Sequence, residues 1–257
     1  MRTIGWGLLV FALFLGISCS EDESGRIVMR MVDSPADVES VTIDIARIEV
    51  HEAGGDTESG WIEVNATPGM YDLLELRNGI TAVITDFVLP PGHYTQIRMY
   101  LGPGSTIVLD GMSYPLEIPS DIQSGLKLNH QFTIEPDAVY DLTLDFDAER
   151  SIVETGMGQY QLKPVIRLQA TEAAGSISGV ISLPDGGATI RTIVGADTVS
   201  TTTDLQNGSF KLMALPGGTF AITVVPGDLQ FQEATLESVV VVPGQDTSVG
   251  TIVFSGP

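Results

Sequence analysis

Asp141, Asp145 and Asp147 are the residues whose type and spacing best suit chemistry. All three fall on odd positions of one short segment, Val139–Asp147. If that segment is extended, alternation puts their carboxylates on a single face. Hard cations take several oxygen ligands, so the ladder is a candidate Ca2+ site. Two of the carboxylates also suit glycoside hydrolysis, which uses a pair about 5–10 Å apart. The competing expectation is structural. A strand reading of Gln159–Ala170 carries Lys163 and Arg167 on one face, and an antiparallel partner would set them opposite the aspartates as cross-strand ion pairs. Ion pairing is the first expectation, and Ca2+ the one cofactor kept as a candidate.

Other chemistries find less support. No Gly-x-Ser-x-Gly elbow is present, and His51, His93 and His130 stand singly, without the close pairing that zinc or a nucleophile–base couple needs. Gly102-Pro103-Gly104 reads as a turn rather than a phosphate loop. No catalytic residue is assigned, and the chain is expected not to be an enzyme. Trp61 is a candidate ligand-binding residue. In Gly60-Trp61-Ile62-Glu63-Val64, alternation places it with Glu63 and away from Ile62 and Val64. An exposed ring of that kind can cover the apolar face of a sugar, while a buried one would simply fill a core.

Cys19 is the only cysteine, so an internal disulfide is excluded. Its position explains it. Arg2 precedes an uncharged apolar run, Ile4 to Ile17, and small residues follow. That is the layout of a secretory signal peptide over residues 1–18, and the run is short for a membrane span. Leu15-Gly16-Ile17-Ser18-Cys19 resembles the lipobox of bacterial lipoproteins, although Gly16 stands where that motif usually has Leu. The resemblance implies lipidation of Cys19, removal of residues 1–18 and a membrane partner reached through the lipid. Residues 19–25 then form a tether. Its Glu21-Asp22-Glu23 resembles the acidic tract that exports some lipoproteins to the outer face of the outer membrane. It is equally readable as a solvated spacer. The expected location is the bacterial outer membrane at the cell surface, with the periplasmic face as the alternative.

The chain has 33 acidic and 12 basic residues, a net charge of −21. Such an excess repels phosphate backbones and excludes nucleic acid as a partner. Glycan or another protein remains open. Hydrophobic residues make up 43%, enough for cores of normal size.

The elements that must position these residues are strands. From Arg26 onward, short β-rich runs alternate with Gly, Pro, Asn and Asp, which predicts an all-β chain. In His93–Leu101, Ile97, Met99 and Leu101 share one face while Gln96 and Arg98 share the other. In Val139–Asp147, Tyr140, Leu142, Leu144 and Phe146 oppose the aspartates. Single strands are also predicted over Gln159–Ala170 and Thr189–Val199. The small residues Glu172-Ala173-Ala174-Gly175 mark a boundary. Two consecutive antiparallel β-sandwiches are expected, over residues 26–172 and 175–257, the second with six or seven strands.

The first resembles the family of unknown function designated DUF4382. The carriers are Val32-Asp33-Ser34-Pro35, Tyr71-Asp72-Leu73-Leu74, Gly92-His93-Tyr94-Thr95-Gln96-Ile97-Arg98, Ile118-Pro119-Ser120, Ser124-Gly125-Leu126-Lys127, Leu144-Asp145-Phe146-Asp147-Ala148 and Leu162-Lys163-Pro164-Val165-Ile166-Arg167. That family brings no assigned activity. The second resembles the carboxypeptidase regulatory-like domain, a transthyretin-like sandwich. Its carriers are Ser176-Ile177-Ser178-Gly179-Val180, Thr203-Asp204, Asn207-Gly208-Ser209-Phe210, Leu215-Pro216-Gly217-Gly218-Thr219-Phe220 and Pro243-Gly244-Gln245. This implies an accessory module. Together the readings describe a non-enzymatic envelope lipoprotein, a surface-displayed binding module whose ligand class includes carbohydrate. The alternatives are a periplasm-facing assembly lipoprotein and a hydrolase working through the acidic ladder.

Overall fold

The computed structural model describes residues 24–34, 38–55, 59–64, 67–156, 158–182 and 187–254. Cys19, the signal-peptide reading and most of the tether lie outside the described residues. No described helix is long and apolar enough to cross a membrane.

The chain is almost entirely β. In order come β1 (Gly25–Ser34), β2 (Ser40–Glu52), β3 (Trp61–Glu63), β4 (Gly69–Asp72), β5 (Ala82–Leu89), β6 (Gly92–Leu101), β7 (Thr106–Leu109), β8 (Met112–Glu117), β9 (Leu126–Ile134) and β10 (Val139–Asp147). A single helical turn, α1 (Ala148–Ser151), leads to β11 (Ile152–Gly156), β12 (Gln159–Leu162) and β13 (Ile166–Ala170). Beyond a 3-10 turn at Thr171–Ala173 come β14 (Ala174–Ser182), β15 (Ala188–Val194), β16 (Asp197–Thr202), β17 (Ser209–Pro216), β18 (Gly218–Pro226), β19 (Ala234–Val241) and β20 (Asp246–Val253).

The first thirteen strands form two facing sheets. A small one has the order β13-β10-β1-β5, and a large one the order β11-β12-β8-β7-β2-β6-β9, with β3 and β4 also pairing β2. Alternating side chains from both meet in one core that includes Ile27, Met29, Ile43, Ile97, Leu142 and Phe146. Tyr94 is fully buried in it, and its hydroxyl donates to Pro90 O at 2.9 Å, which satisfies the polar end of the ring. The last seven strands form a second sandwich, β17-β14-β20 against β16-β15-β18-β19, around a separate core that includes Ile177, Ile190, Phe210 and Ile222.

Pairing is mostly antiparallel, with β1–β10, β8–β12 and β14–β20 running parallel. Two expected single strands are pairs. Gln159–Ala170 breaks at Lys163-Pro164-Val165, and its halves join different sheets. Pro164 has no N–H for a ladder, and this is where the chain crosses between layers. Thr189–Val199 is the hairpin β15–β16, turning at Gly195 with φ 63.

Gly208 shows how tightly the second sandwich closes. Its φ is 72, and a Cβ there would lie 2.2 Å from the Ile181 carbonyl oxygen. That same strand is held by Ile181 N–H donating to Gly208 O at 2.8 Å. Gly208→Ala therefore combines left-handed backbone strain with a clash against main chain. It should destabilise the second sandwich by roughly 2–4 kcal/mol in urea denaturation, and a loss under about 1 kcal/mol would contradict this geometry.

Candidate functional site

The three aspartates do lie on one face of β10, opposite the core-facing Leu142, Leu144 and Phe146. Each is engaged separately. Asp141 accepts from Arg30 Nε at 3.0 Å and from Thr171 Oγ1 at 2.8 Å. Asp145 stands in register with Arg167 of β13 and binds its Nη2 at 2.7 Å, with 8% and 15% of the two side chains exposed. Asp147 caps α1 by accepting from Arg150 N at 2.9 Å, with Arg150 Nη1 3.6 Å away. Among the described residues, no three acidic, histidine or cysteine side chains are arranged to hold a metal. The ladder is thus divided among three cations. Arg167 takes the place expected of it. Lys163 does not, because it precedes β13 and its backbone N–H closes onto Ser151 O. Arg30 reaches Asp141 from the parallel neighbour β1, a pairing that local alternation cannot reveal.

This face of the small sheet is covered by the second sandwich, which is why β10 is buried on both sides from Leu142 to Phe146. The seam is polar. Arg167 Nη1 donates to Ala214 O at 2.7 Å, so one guanidinium holds a carboxylate in the first sandwich and a carbonyl in the second. Ala214 has φ 55 and sits where the β14–β17 register slips. The bulge carries the strain of a non-glycine left-handed residue. Asn78, with φ 56, donates its backbone N–H to Thr201 Oγ1 at 3.2 Å and its Nδ2 to Ser209 O at 3.3 Å. Arg150 Nη1 reaches Asp197 at 3.3 Å. Burial pushes the carboxyl pKa of Asp145 up, against the pull of Arg167, and pushes that of Asp147 up against the Arg150 N–H.

Sequence reasoning singled out Arg167 and missed Asn78, Arg150, Asp197 and Ala214, and with them a buried carboxyl. Asp33, at the end of β1, is 4% exposed and accepts from Ala148 N at 3.1 Å. The visible signal was an acid following the apolar Met31-Val32 in Val32-Asp33-Ser34-Pro35, with nothing local to show its burial.

Trp61 lies elsewhere, on the outer face of the large sheet. Across β3, β2, β6 and β9, the pairing aligns two rows of polar side chains. One runs Trp61, His51, Gln96, Asn129, and the other Glu63, Glu49, Arg98, Lys127. The Arg98 guanidinium covers the Trp61 ring at 3.8 Å, Arg47 covers Tyr100 at 3.9 Å, and His51 meets Trp61 edge-on at 4.8 Å. Tyr100 donates to Glu49 at 3.0 Å, and Gln96 donates to Asn129 at 2.7 Å. Trp61 and Arg98 are half-buried, while Lys127 and Asn129 are exposed. The face is therefore solvent-facing, with aromatic rings fixed by guanidinium groups. The histidines are dispersed: His51 contacts Thr95, His93 contacts Thr133, and His130 contacts the Tyr140 hydroxyl at 2.8 Å.

The family model described as a domain of unknown function, DUF4382, matches residues 24–164. No curated protein matches the chain. Solved structures similar to it include the Bacillus anthracis TIE protein, at 12% identity and TM-score 0.24, with coverage of 91% of this chain and 34% of that one. The chain thus spans about a third of that protein's length. The minor pilin of Streptococcus agalactiae has 12% identity and TM-score 0.26, covering 90% and 96%. A putative adhesin from Bacteroides ovatus has 10% identity and TM-score 0.26, covering 98% and 99%. Scores this low carry no argument about ligand or assembly.

The seam makes a quantitative prediction. Arg167→Met leaves Asp145 as a buried carboxylate without its cation, so the full chain should lose about 3–5 kcal/mol at pH 7. Adding Asp145→Leu should return most of that loss. A double-mutant cycle with coupling below about 0.5 kcal/mol would show that the pair is not acting as drawn.

Proposed function

The chain belongs to the DUF4382 family, and we propose that it is a non-enzymatic envelope lipoprotein that displays a binding face at the cell surface. Cys19 supplies the anchor, and Glu21-Asp22-Glu23 supports export to the outer face. The second sandwich, residues 175–257, serves as an accessory module of the transthyretin-like kind.

One observation carries this reading: the two polar rows on the outer face of the large sheet, with Trp61 at the β3 end and the Arg98 guanidinium against its ring. A sugar ring offers an apolar C–H face and a rim of hydroxyls. An indole beside planar amides, a guanidinium and a carboxylate matches both features. The acidic ladder, by contrast, has its carboxylates committed to arginines and a helix cap. That disfavours the hydrolase reading. Carbohydrate is therefore the ligand class proposed for this face, and Trp61 and Arg98 are its leading contact residues.

Two measurements test the reading in sequence. Protease added to intact cells should digest the wild-type protein, and Cys19→Ala should release it from the membrane fraction. Protection until the outer membrane is broken would move the protein to the periplasmic alternative. The full chain should then be retained on at least one member of a panel of immobilised neutral and uronate-containing polysaccharides. Trp61→Ala and Gln96→Ala should each weaken retention at least about tenfold, the ~1.4 kcal/mol scale of one lost aromatic or polar contact. Retention unchanged in both variants would remove this face from the proposal.

A further inference from the structure

Among the described residues, Asp33 is the one buried carboxyl with an oxygen left unsatisfied. Its Oδ1 accepts from Ala148 N, whereas Oδ2 is buried without a hydrogen-bond partner. The side chain borders a cavity of about 10 Å³, room for one water at most. That cavity straddles the seam. Leu76, Arg77 and Asn78 line it from the first sandwich, and Ser200, Thr201 and Lys211 from the second. Asp33 therefore owes part of its burial to the second sandwich.

The charges around it come from every side. Asp145 and Asp147 of β10 oppose its ionisation, and Arg77 from the turn before β5 favours it. Lys211 of β17 lines the same cavity, while Ser200 and Thr201 of β16 bring no charge. Arg167 is committed to Asp145, and Arg150 to Asp147 and Asp197. No cation is thus placed on Asp33 Oδ2.

We propose that the seam is a proton-controlled clamp, in which protonated Asp33 lets the two sandwiches dock and ionised Asp33 drives them apart. Burial and the neighbouring carboxylates push its carboxyl up to about 9, so the docked state holds a proton at neutral pH. Separation of the sandwiches lets water reach Oδ2 and returns the group toward ordinary carboxylate behaviour, near 3.8. Docking therefore takes up a proton. The sign follows directly: acid strengthens the clamp, and rising pH weakens it until the docked carboxyl itself ionises near 9.

The Asn78 amide reports this opening, because its N–H donates across the seam to Thr201 Oγ1. The Thr203 amide is the control, since it donates to Ala188 O inside the second sandwich. Hydrogen exchange of the full chain is followed from pH 6 to pH 8.5, with protection factors corrected for the intrinsic rate. Protection at Asn78 should fall by up to about tenfold per pH unit, one proton's worth, while Thr203 stays level. Asp33→Asn should flatten the Asn78 profile, and Asp147→Asn should leave its slope in place. A wild-type Asn78 profile parallel to Thr203 overturns the clamp, and so does an unchanged slope in a folded Asp33→Asn protein. If that variant does not fold, the wild-type comparison of the two amides decides the matter alone.

Discussion

The Arg167 guanidinium is the constraint on which the two-sandwich arrangement turns. A cation that is 15% exposed must be compensated on more than one side. Asp145 neutralises it from β10, and the carbonyl of Ala214 receives its other arm from β17. Without the second sandwich, Asp145 and Thr143 would be ordinary exposed residues on the outside of a small sheet. With it, β10 is buried on both faces from Leu142 to Phe146, and the bulge at Ala214 is the strained local geometry that presents the carbonyl to Arg167. A bulge inside a sheet is normally read as a defect in pairing, but here it serves a contact outside its own sheet.

Burying the acidic face of β10 has a consequence for function. The stretch of the small sheet around Asp145 is withdrawn from solvent, and the side chain that looked most reactive in the sequence is withdrawn with it. The outer face of the large sheet is left as the patterned surface. Arg47, Arg98 and Lys127 lie there, three of the 12 basic residues in the chain, beside Glu49 and Glu63. Paired charges and rings held together on one face of a strongly acidic protein make that face chemically unlike its surroundings.

Alternation along single strands was the legible part. The core residues of β6 and β10, the outward placement of Trp61 and the Asp145–Arg167 pair all follow from period-two patterning with one antiparallel neighbour. What the sequence concealed depends on partners distant in the chain. The parallel pairing of β1 with β10 gives Asp141 its Arg30, across more than a hundred residues. Pro164 was visible, yet its meaning was not: it is a crossing point between sheets, and this places Lys163 out of reach of the aspartates. Asp33 was hidden for a related reason. An acid near the end of a strand looks like a solvated terminus, and contacts distant in the chain, with Ala148 in the first sandwich and with the second sandwich, make it a buried one.

A polar seam also does something that an apolar one would not. Oily surfaces of similar shape tolerate sliding, because dispersion and burial change little over an ångström or two. Hydrogen bonds to fixed carbonyls do not, since they weaken steeply with angle and leave a buried donor unsatisfied. Arg167 onto Ala214 O, Asn78 onto Thr201 and Ser209, and Arg150 onto Asp197 are separate points of attachment. Together they set the angle between the sandwiches, whatever their net contribution to stability. The large sheet lies across the first core from this seam, so its outer face points away from the second sandwich. The proposed recognition surface and the accessory module are thereby kept on opposite sides of the molecule, and neither occludes the other while the polar contacts hold.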